Sequence, residues 1–122
     1  MPERAKRRPV LLKRAREAPS DSDGMRVLVD RLWPRGLSKE AVKADLWLRD
    51  VAPSDALRRW YSHDVRRWTL FRRKYRSELA RRPEVLDLLN DLRRQAPVTL
   101  LFGARDAEHC HATVLREVLD EC

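Results

Sequence analysis

Apolar positions along this chain change their period several times, and each change marks an element. "VLLKRA" (residues 10–15) is a short apolar run that predicts a strand, and "MRVLVD" (25–30) predicts a second. The middle of that second run, Val27, Leu28 and Val29, is unbroken, which predicts a strand covered on both faces as in a parallel sheet. Between the two, "APSDSDG" (18–24) is polar and rich in turn formers, so it reads as a loop. "SKEAVKA" (38–44) predicts a short helix capped by Ser38, while "LWLRDV" (46–51) fits either an edge strand or an extended segment.

Further on the period lengthens. Ser54 is placed to cap a helix bearing Leu57, Trp60 and Tyr61. Over 64–80, Val65, Trp68, Phe71, Tyr75 and Leu79 follow the helical repeat, with Arg66, Arg73, Lys74 and Arg76 on the opposite side. A helix from about 84 to 94 follows, with Pro83 suited to its first turn and Arg93 and Arg94 complementing its C-terminal dipole. "PVTLLFG" (97–103) predicts a strand, and Asp106 is placed to cap a last helix carrying Cys110, Val114, Leu115, Val118 and Leu119. This order predicts an α/β fold: a small, mostly parallel sheet of three to four strands packed with helices in one layered domain, residues 10–122. Residues 1–9, "MPERAKRRP", read as a flexible basic arm.

Composition narrows the setting. At 122 residues the chain has room for one core. No apolar run approaches the roughly 18 residues of a membrane helix, and no apolar segment follows the basic start as in an export signal. Cys110 and Cys122 are too few for a disulfide framework and lack metal-site spacing, so a cytoplasmic protein with reduced thiols is expected, with no cofactor and no membrane partner. The formal net charge of +8 is unevenly spread: residues 1–16 and 64–82 each carry +6, whereas 83–122 carry −4. Arginine outnumbers lysine 22 to 5, which favours forked contacts to anions, although GC-rich coding gives the same bias. The basic side of 64–80 is either a solvated face or a track for a phosphate backbone; it matches no helix-turn-helix, zinc-finger or RNA-recognition pattern.

Candidate chemistry gathers at two strand ends, where open parallel sheets bind ligands. The first supplies Asp30, Arg31, Trp33, Pro34, Arg35 and Gly36, with Gly36 expected to let the chain pass close to its neighbours. The second supplies Gly103, Arg105 and Asp106, then His109, Cys110 and His111. If the two strands are neighbours, these segments face one another across one cleft. Arg31, Arg35 and Arg105 offer planar forks for phosphate or carboxylate, and Trp33 offers a face for a base or a cover for the floor. His111 reads either as a satisfied histidine at the edge of the core or as a general base, and Cys110 as a buried thiol or a thiolate nucleophile. "HCH" invites a metal, but adjacent helical residues point about 100° apart, so no metal site is expected.

The stretches "RVLVDRLWPRGLSKE", "LWLRDVAPSDALRRWYSHD", "FRRKYRSEL" and "VTLLFGARDAEHCHATVL" resemble the YeaO-like uncharacterised proteins, a branch of the domain of unknown function 488. The resemblance covers residues 10–119 and implies a compact α/β domain with its motif residues around one cleft. Asp30, Arg31, Trp33, Pro34, Arg35 and Gly36 match the first motif; Arg105, Asp106 and His111 match the second. Cys110 departs from the asparagine usual in YeaO-like members, and other branches of the wider family carry a Cys-His pair there.

The expected function is binding of an anionic ligand (a nucleotide, a phosphate or a nucleic-acid end) by Arg31, Trp33, Arg35, Gly36, Arg105, Asp106 and Cys110. The alternative is an enzyme acting on a phosphoester, nucleoside or base, with Asp30 and His111 as acid and base. A third reading is an arginine-rich scaffold for an acidic partner. The sequence leaves the oligomeric state open.

Overall fold

Four strands form one all-parallel sheet in the order β1-β4-β2-β3: β1 (Val10–Arg14), β2 (Met25–Leu28), β3 (Leu46–Trp47) and β4 (Val98–Phe102). The structure is a computed structural model and describes residues 8–121. β4, last in sequence, lies between β1 and β2, and all five of its residues are buried. Leu101 pairs with Lys13 on one side and with Leu28 on the other, so the ends of β1, β2 and β4 come together. The neighbouring of β2 and β4, on which a shared cleft depends, is therefore a property of the fold.

Five helices accompany the sheet: α1 (Lys39–Val42), α2 (Asp55–Tyr61), α3 (Trp68–Ala80), α4 (Pro83–Gln95) and α5 (His111–Glu121). Ser38 caps α1 by accepting from the Ala41 N–H, and Ser54 caps α2 by accepting from the Leu57 N–H. Pro83 stands in the first turn of α4, where its missing N–H costs nothing. "LWLRDV" resolves into the two-residue edge strand β3 and a 3₁₀ turn at Arg49–Val51.

Two helices begin later than their periodicity predicts. Asp64 accepts from the Arg66 N–H and caps a 3₁₀ turn, Val65–Arg67, so α3 proper starts at Trp68 and Val65 is left 52% exposed. Asp106 likewise accepts from the N–H groups of Glu108 and His109, which holds a turn ahead of α5 rather than capping the helix itself. Both corrections have one cause. A short acidic side chain satisfies the next backbone donors in a tight turn as readily as in a helix.

The alternation along the strands sorts the core into two layers. Val27, Val29, Leu100 and Phe102 face a thick helical layer that includes Phe71, Tyr75, Leu79, Leu115 and Leu119. Leu28 and Leu101 face a thin layer made by Val42, Trp33, Leu37 and Trp47. On the thin side charged groups complete the layer. Arg26 lies buried, donating to Asp23 at 2.6 Å and to the Val42 carbonyl at 2.6 Å, while Lys13 reaches Asp23 at 3.1 Å. Burial works against ionisation of Asp23, but the Ser20 N–H, Lys13 and Arg26 outweigh it and hold the carboxyl below its ordinary value.

Residues 1–7 of the expected basic arm lie outside the described residues. Arg8 and Pro9 are tied to the fold: the Arg8 N–H donates to the Arg93 carbonyl at 3.1 Å and Val98 donates to Pro9 at 3.3 Å. No helix among the described residues is long and apolar enough to cross a membrane.

Candidate functional site

A cavity of about 390 Å³ opens beyond the carboxyl ends of β1, β2 and β4. Its floor is Asp30, the first polar residue after the buried run of β2. The Gly103 N–H, just past β4, donates to Asp30 Oδ2 at 2.8 Å, and Trp47 of β3 donates to the Asp30 carbonyl at 2.7 Å. Asp30 Oδ1 is buried without a hydrogen bond of its own and stands 3.3 Å from His111 Nε2. Three strands and α5 therefore converge on one residue, Asp30.

His111 opens α5 and donates from Nε2 to the Val29 carbonyl at 2.9 Å. A carbonyl only accepts, so the proton sits on Nε2, and the neutral ring keeps Nδ1 as its lone pair. Burial pushes the His111 pKa below that of a free imidazole, with the charge of Asp30 working against the shift. The same burial pushes the Asp30 carboxyl up, with His111 and the Gly103 N–H working against it. The floor is thus a carboxyl group reluctant to ionise beside an imidazole reluctant to take a proton.

The rim is cationic. Arg14 and Arg16 come from the end of β1, Arg31 and Arg35 from the segment after β2, and Arg58 from α2. Arg14 is positioned by donating to the Arg105 carbonyl. Arg31 donates to the Pro53 carbonyl at 3.3 Å and lies 3.6 Å from Asp55, which Arg58 approaches at 3.4 Å. Arg16 and Arg35 have no carboxylate within ion-pair distance among the described residues. Among the described residues, Asp30 is the one carboxylate on the wall.

The apolar part of the wall includes Trp33, Tyr61, Phe71 and Phe102. Trp33 is fixed by donating from Nε1 to the Leu37 carbonyl at 2.6 Å, and it meets Trp47 edge-on at 5.3 Å between centroids. Tyr61 stacks on Phe71 and donates to the His109 carbonyl at 2.8 Å; burial and the nearby Asp106 charge push its phenol up to about 12. His63 also lines the cavity, with a positive φ of 58° in the turn that follows α2.

Of the residues expected from sequence, Asp30, Arg31, Trp33, Arg35, Cys110 and His111 meet around this cavity. Gly36, Arg105 and Asp106 are not part of its wall. Gly36 has a φ of 76° and nothing within 4 Å of where a Cβ would be, so it serves the turn rather than a close approach of chains. Arg105 contributes its backbone carbonyl, to Arg14, and the Asp106 carboxylate is engaged with the turn before α5 and with His109 Nδ1 at 2.8 Å. Cys110 is buried, its sulfur 3.8 Å from the Ala107 carbonyl and from Thr113 Oγ1, and burial raises the thiol. In "HCH", His109 therefore turns to Asp106, Cys110 to Ala107 and His111 to Val29, and no group of three metal-ligating side chains shares a site among the described residues.

Sequence reasoning did not place Arg14, Arg16, Arg58, Tyr61 or His63 at the site. The end of β1 was a readable signal, since "KRAR" closes a strand parallel to the other two. Arg58 and His63 depend on how α2 returns over the sheet, which no local pattern carries.

The architecture is that of an open parallel α/β domain with a cationic cleft at its strand ends. The family model of the inactive DUF488-N3 subclade matches residues 9–122, and the chain belongs to this family. It is 38% identical over 107 residues to the uncharacterized protein YeaO of Escherichia coli, covering 88% of this chain and 93% of that one. It is 39% identical over 98 residues to the uncharacterized protein Rv3073c of Mycobacterium tuberculosis, covering 80% of this chain and 82% of that one. The YeaO-like resemblance read from the motifs is therefore correct. No solved structure gives a significant match.

Proposed function

We propose that the cleft binds a small phosphate-bearing ligand of the nucleotide kind, without turning it over. The observation that carries this reading is the charge of the wall: five arginines, two of which (Arg31 and Arg58) share Asp55 behind the rim, against one wall carboxylate, Asp30, buried at the floor. Forked guanidinium groups on a half-enclosed wall recognise a phosphate bidentately. The adjoining aromatic surface suits a planar ring, and the volume falls at the small end of ligand pockets, about 300–1,000 Å³.

Binding is favoured over catalysis by how the polar groups are engaged. The His111 Nε2 proton is held by a backbone carbonyl, Asp30 Oδ2 is held by Gly103, and the Cys110 thiol is raised, not activated. The word "inactive" in the family's description points the same way.

The test is a thermal-shift and calorimetric titration with inorganic phosphate, nucleoside monophosphates and nucleosides. A ligand at 100 times its Kd stabilises the native state by about 2.7 kcal/mol. Phosphorylated compounds are expected to raise Tm, the matching nucleosides to do so less, and R31A/R35A to abolish the shift. His111→Ala separates binder from enzyme: the binder keeps most of its affinity, while an enzyme keeps its substrate and loses turnover. Absence of any shift, or a shift indifferent to R31A/R35A, overturns the reading.

A further inference from the structure

We infer that the solvent face of α3 carries the phosphate backbone of a single-stranded nucleic acid whose terminal nucleotide enters the cavity, an inference that rests on the cavity binding a phosphorylated ligand.

α3 and the turn before it bear cations on two sides, and the sides differ in their partners. Arg72 and Arg76 face α5, where Arg72 Nε lies 2.7 Å from Glu117 and Arg76 pairs with Glu121, so their charge is spent within the fold. Arg66, Arg67, Arg73 and Lys74 are exposed. Asp64 serves Arg66 at 3.0 Å and Arg67 at 3.8 Å, while Arg73 and Lys74 have no carboxylate within ion-pair distance among the described residues. Four exposed cations thus share one carboxylate.

Two of these cations are held in place by an aromatic face, and of the two Lys74 has no carboxylate within ion-pair distance among the described residues. Lys74 Nζ lies 4.8 Å and Arg67 Cζ 5.1 Å from the centroid of the Trp60 ring, and Arg67 also donates to the Trp60 carbonyl. An indole face orders a cation and leaves its charge available to a polyanion.

The patch adjoins the cavity. Trp60 sits in α2 between Arg58 and Tyr61, both of which line the cavity, as does His63 two residues further on. A helix with its side chains is only about 10–12 Å across, so the wall and the Trp60 cluster are two sides of one helical turn. Lys74 lies over the Trp60 ring, so a strand leaving the cavity past Arg58 and His63 meets Lys74 next, with Arg73 its neighbour in sequence on α3.

A nucleic acid fits this face better than an acidic protein does. Protein interfaces exclude charge from an apolar centre; here the exposed apolar residues are Val65 and Leu70, set among four cations. The cavity has room for about one nucleotide, so a strand enters by an end.

The experiment uses the full chain and compares thymidine monophosphate, thymidine octamers phosphorylated at the 5′ or the 3′ end, and polyglutamate, over a range of salt. One octamer is expected to bind at least about tenfold more tightly than the mononucleotide at low salt, the better end identifying which terminus enters. R73E/K74E is expected to remove that advantage, to make the plot of log affinity against log salt shallower by about 1.4 (some 0.7 per lost phosphate contact), and to leave mononucleotide binding unchanged. R73A/K74A gives the same direction should charge reversal disturb folding. Octamers that bind no tighter than the mononucleotide overturn this inference and leave the cavity reading standing. Failure of every phosphorylated probe overturns both. Polyglutamate binding as tightly as the octamer, with equal sensitivity to R73E/K74E, assigns the face to an acidic protein and overturns the nucleic-acid role.

Discussion

Asp30 Oδ1 and His111 Nε2 stand 3.3 Å apart, and the same burial drives their protonation in opposite directions. The charge on Asp30, ahead of the hydrogen bond to the Val29 carbonyl, keeps the imidazole from falling further. In an NMR titration His111 is expected below its ordinary 6.5 in the wild type and lower again in Asp30→Asn. An unchanged or raised value in the variant would show that the two do not sense each other. The stability signs are opposite. His111 has a lowered folded pKa, so its contribution is complete above about pH 6.5 and is lost as pH falls through that folded value; Asp30 has a raised one, so its contribution is lost as pH rises through it. His111→Gln is expected to flatten the acid side of the urea-denaturation profile.

The buried Asp23–Arg26 pair predicts a larger cost. Arg26→Met leaves Asp23 short of a partner and the Val42 carbonyl unpaired, at about 3–5 kcal/mol in urea denaturation. Asp23 is held below 3.8, so its contribution is present above that pH and disappears as pH falls through the folded value. In Asp23→Asn that acid-dependent loss is expected to vanish. A cost under about 1 kcal/mol for Arg26→Met would mean that the pair is not load-carrying.

Two glycines with positive φ separate contact from conformation. At Gly24 (φ 64°) an added Cβ meets the Pro97 carbonyl oxygen at 2.1 Å, whereas at Gly36 (φ 76°) it meets nothing within 4 Å. Gly36→Ala is expected to cost only the backbone term, about 1–2 kcal/mol. Gly24→Ala must also move the Pro97 carbonyl, which accepts from Met25 where β2 begins, and is expected to cost clearly more. Equal Tm losses would contradict the crowding at Gly24.

Thiol chemistry gives a kinetic check. With Cys122→Ser leaving one thiol, Cys110 is expected to react with an aromatic disulfide at pH 8 at least about 100-fold more slowly in the native protein than in urea, because the sulfur is buried and its pKa raised. Rapid native labelling would restore a nucleophilic role.

The elements were legible where one residue's environment is set by its near neighbours in sequence. The all-buried run Val27–Val29, the caps Ser38 and Ser54, and the placing of Asp30 and His111 at strand and helix ends all belong to that kind. The misread positions involve a competition that periodicity does not record. Val65 keeps the helical period yet is lifted out by the Asp64 cap, and Gly36 looks like a packing glycine yet stands in open space. Arg14 and Arg58 were invisible for a third reason. They reach the cleft through β1 pairing with β4 and α2 folding back, contacts made across long stretches of chain.

The position of β4 also has a consequence in time. Because β4 lies between β1 and β2, those two strands share no direct ladder, and a nascent chain ending before residue 98 has no sheet joining them. Val10 of its first strand waits for Val98 before it has a ladder partner, and the sheet is continuous only once β4 pairs with both β1 and β2. Ordering of this kind is slow, since distant segments must be brought together before any of their pairing is rewarded. The cleft, whose floor needs the backbone N–H of Gly103, comes into being only once β4 is in place.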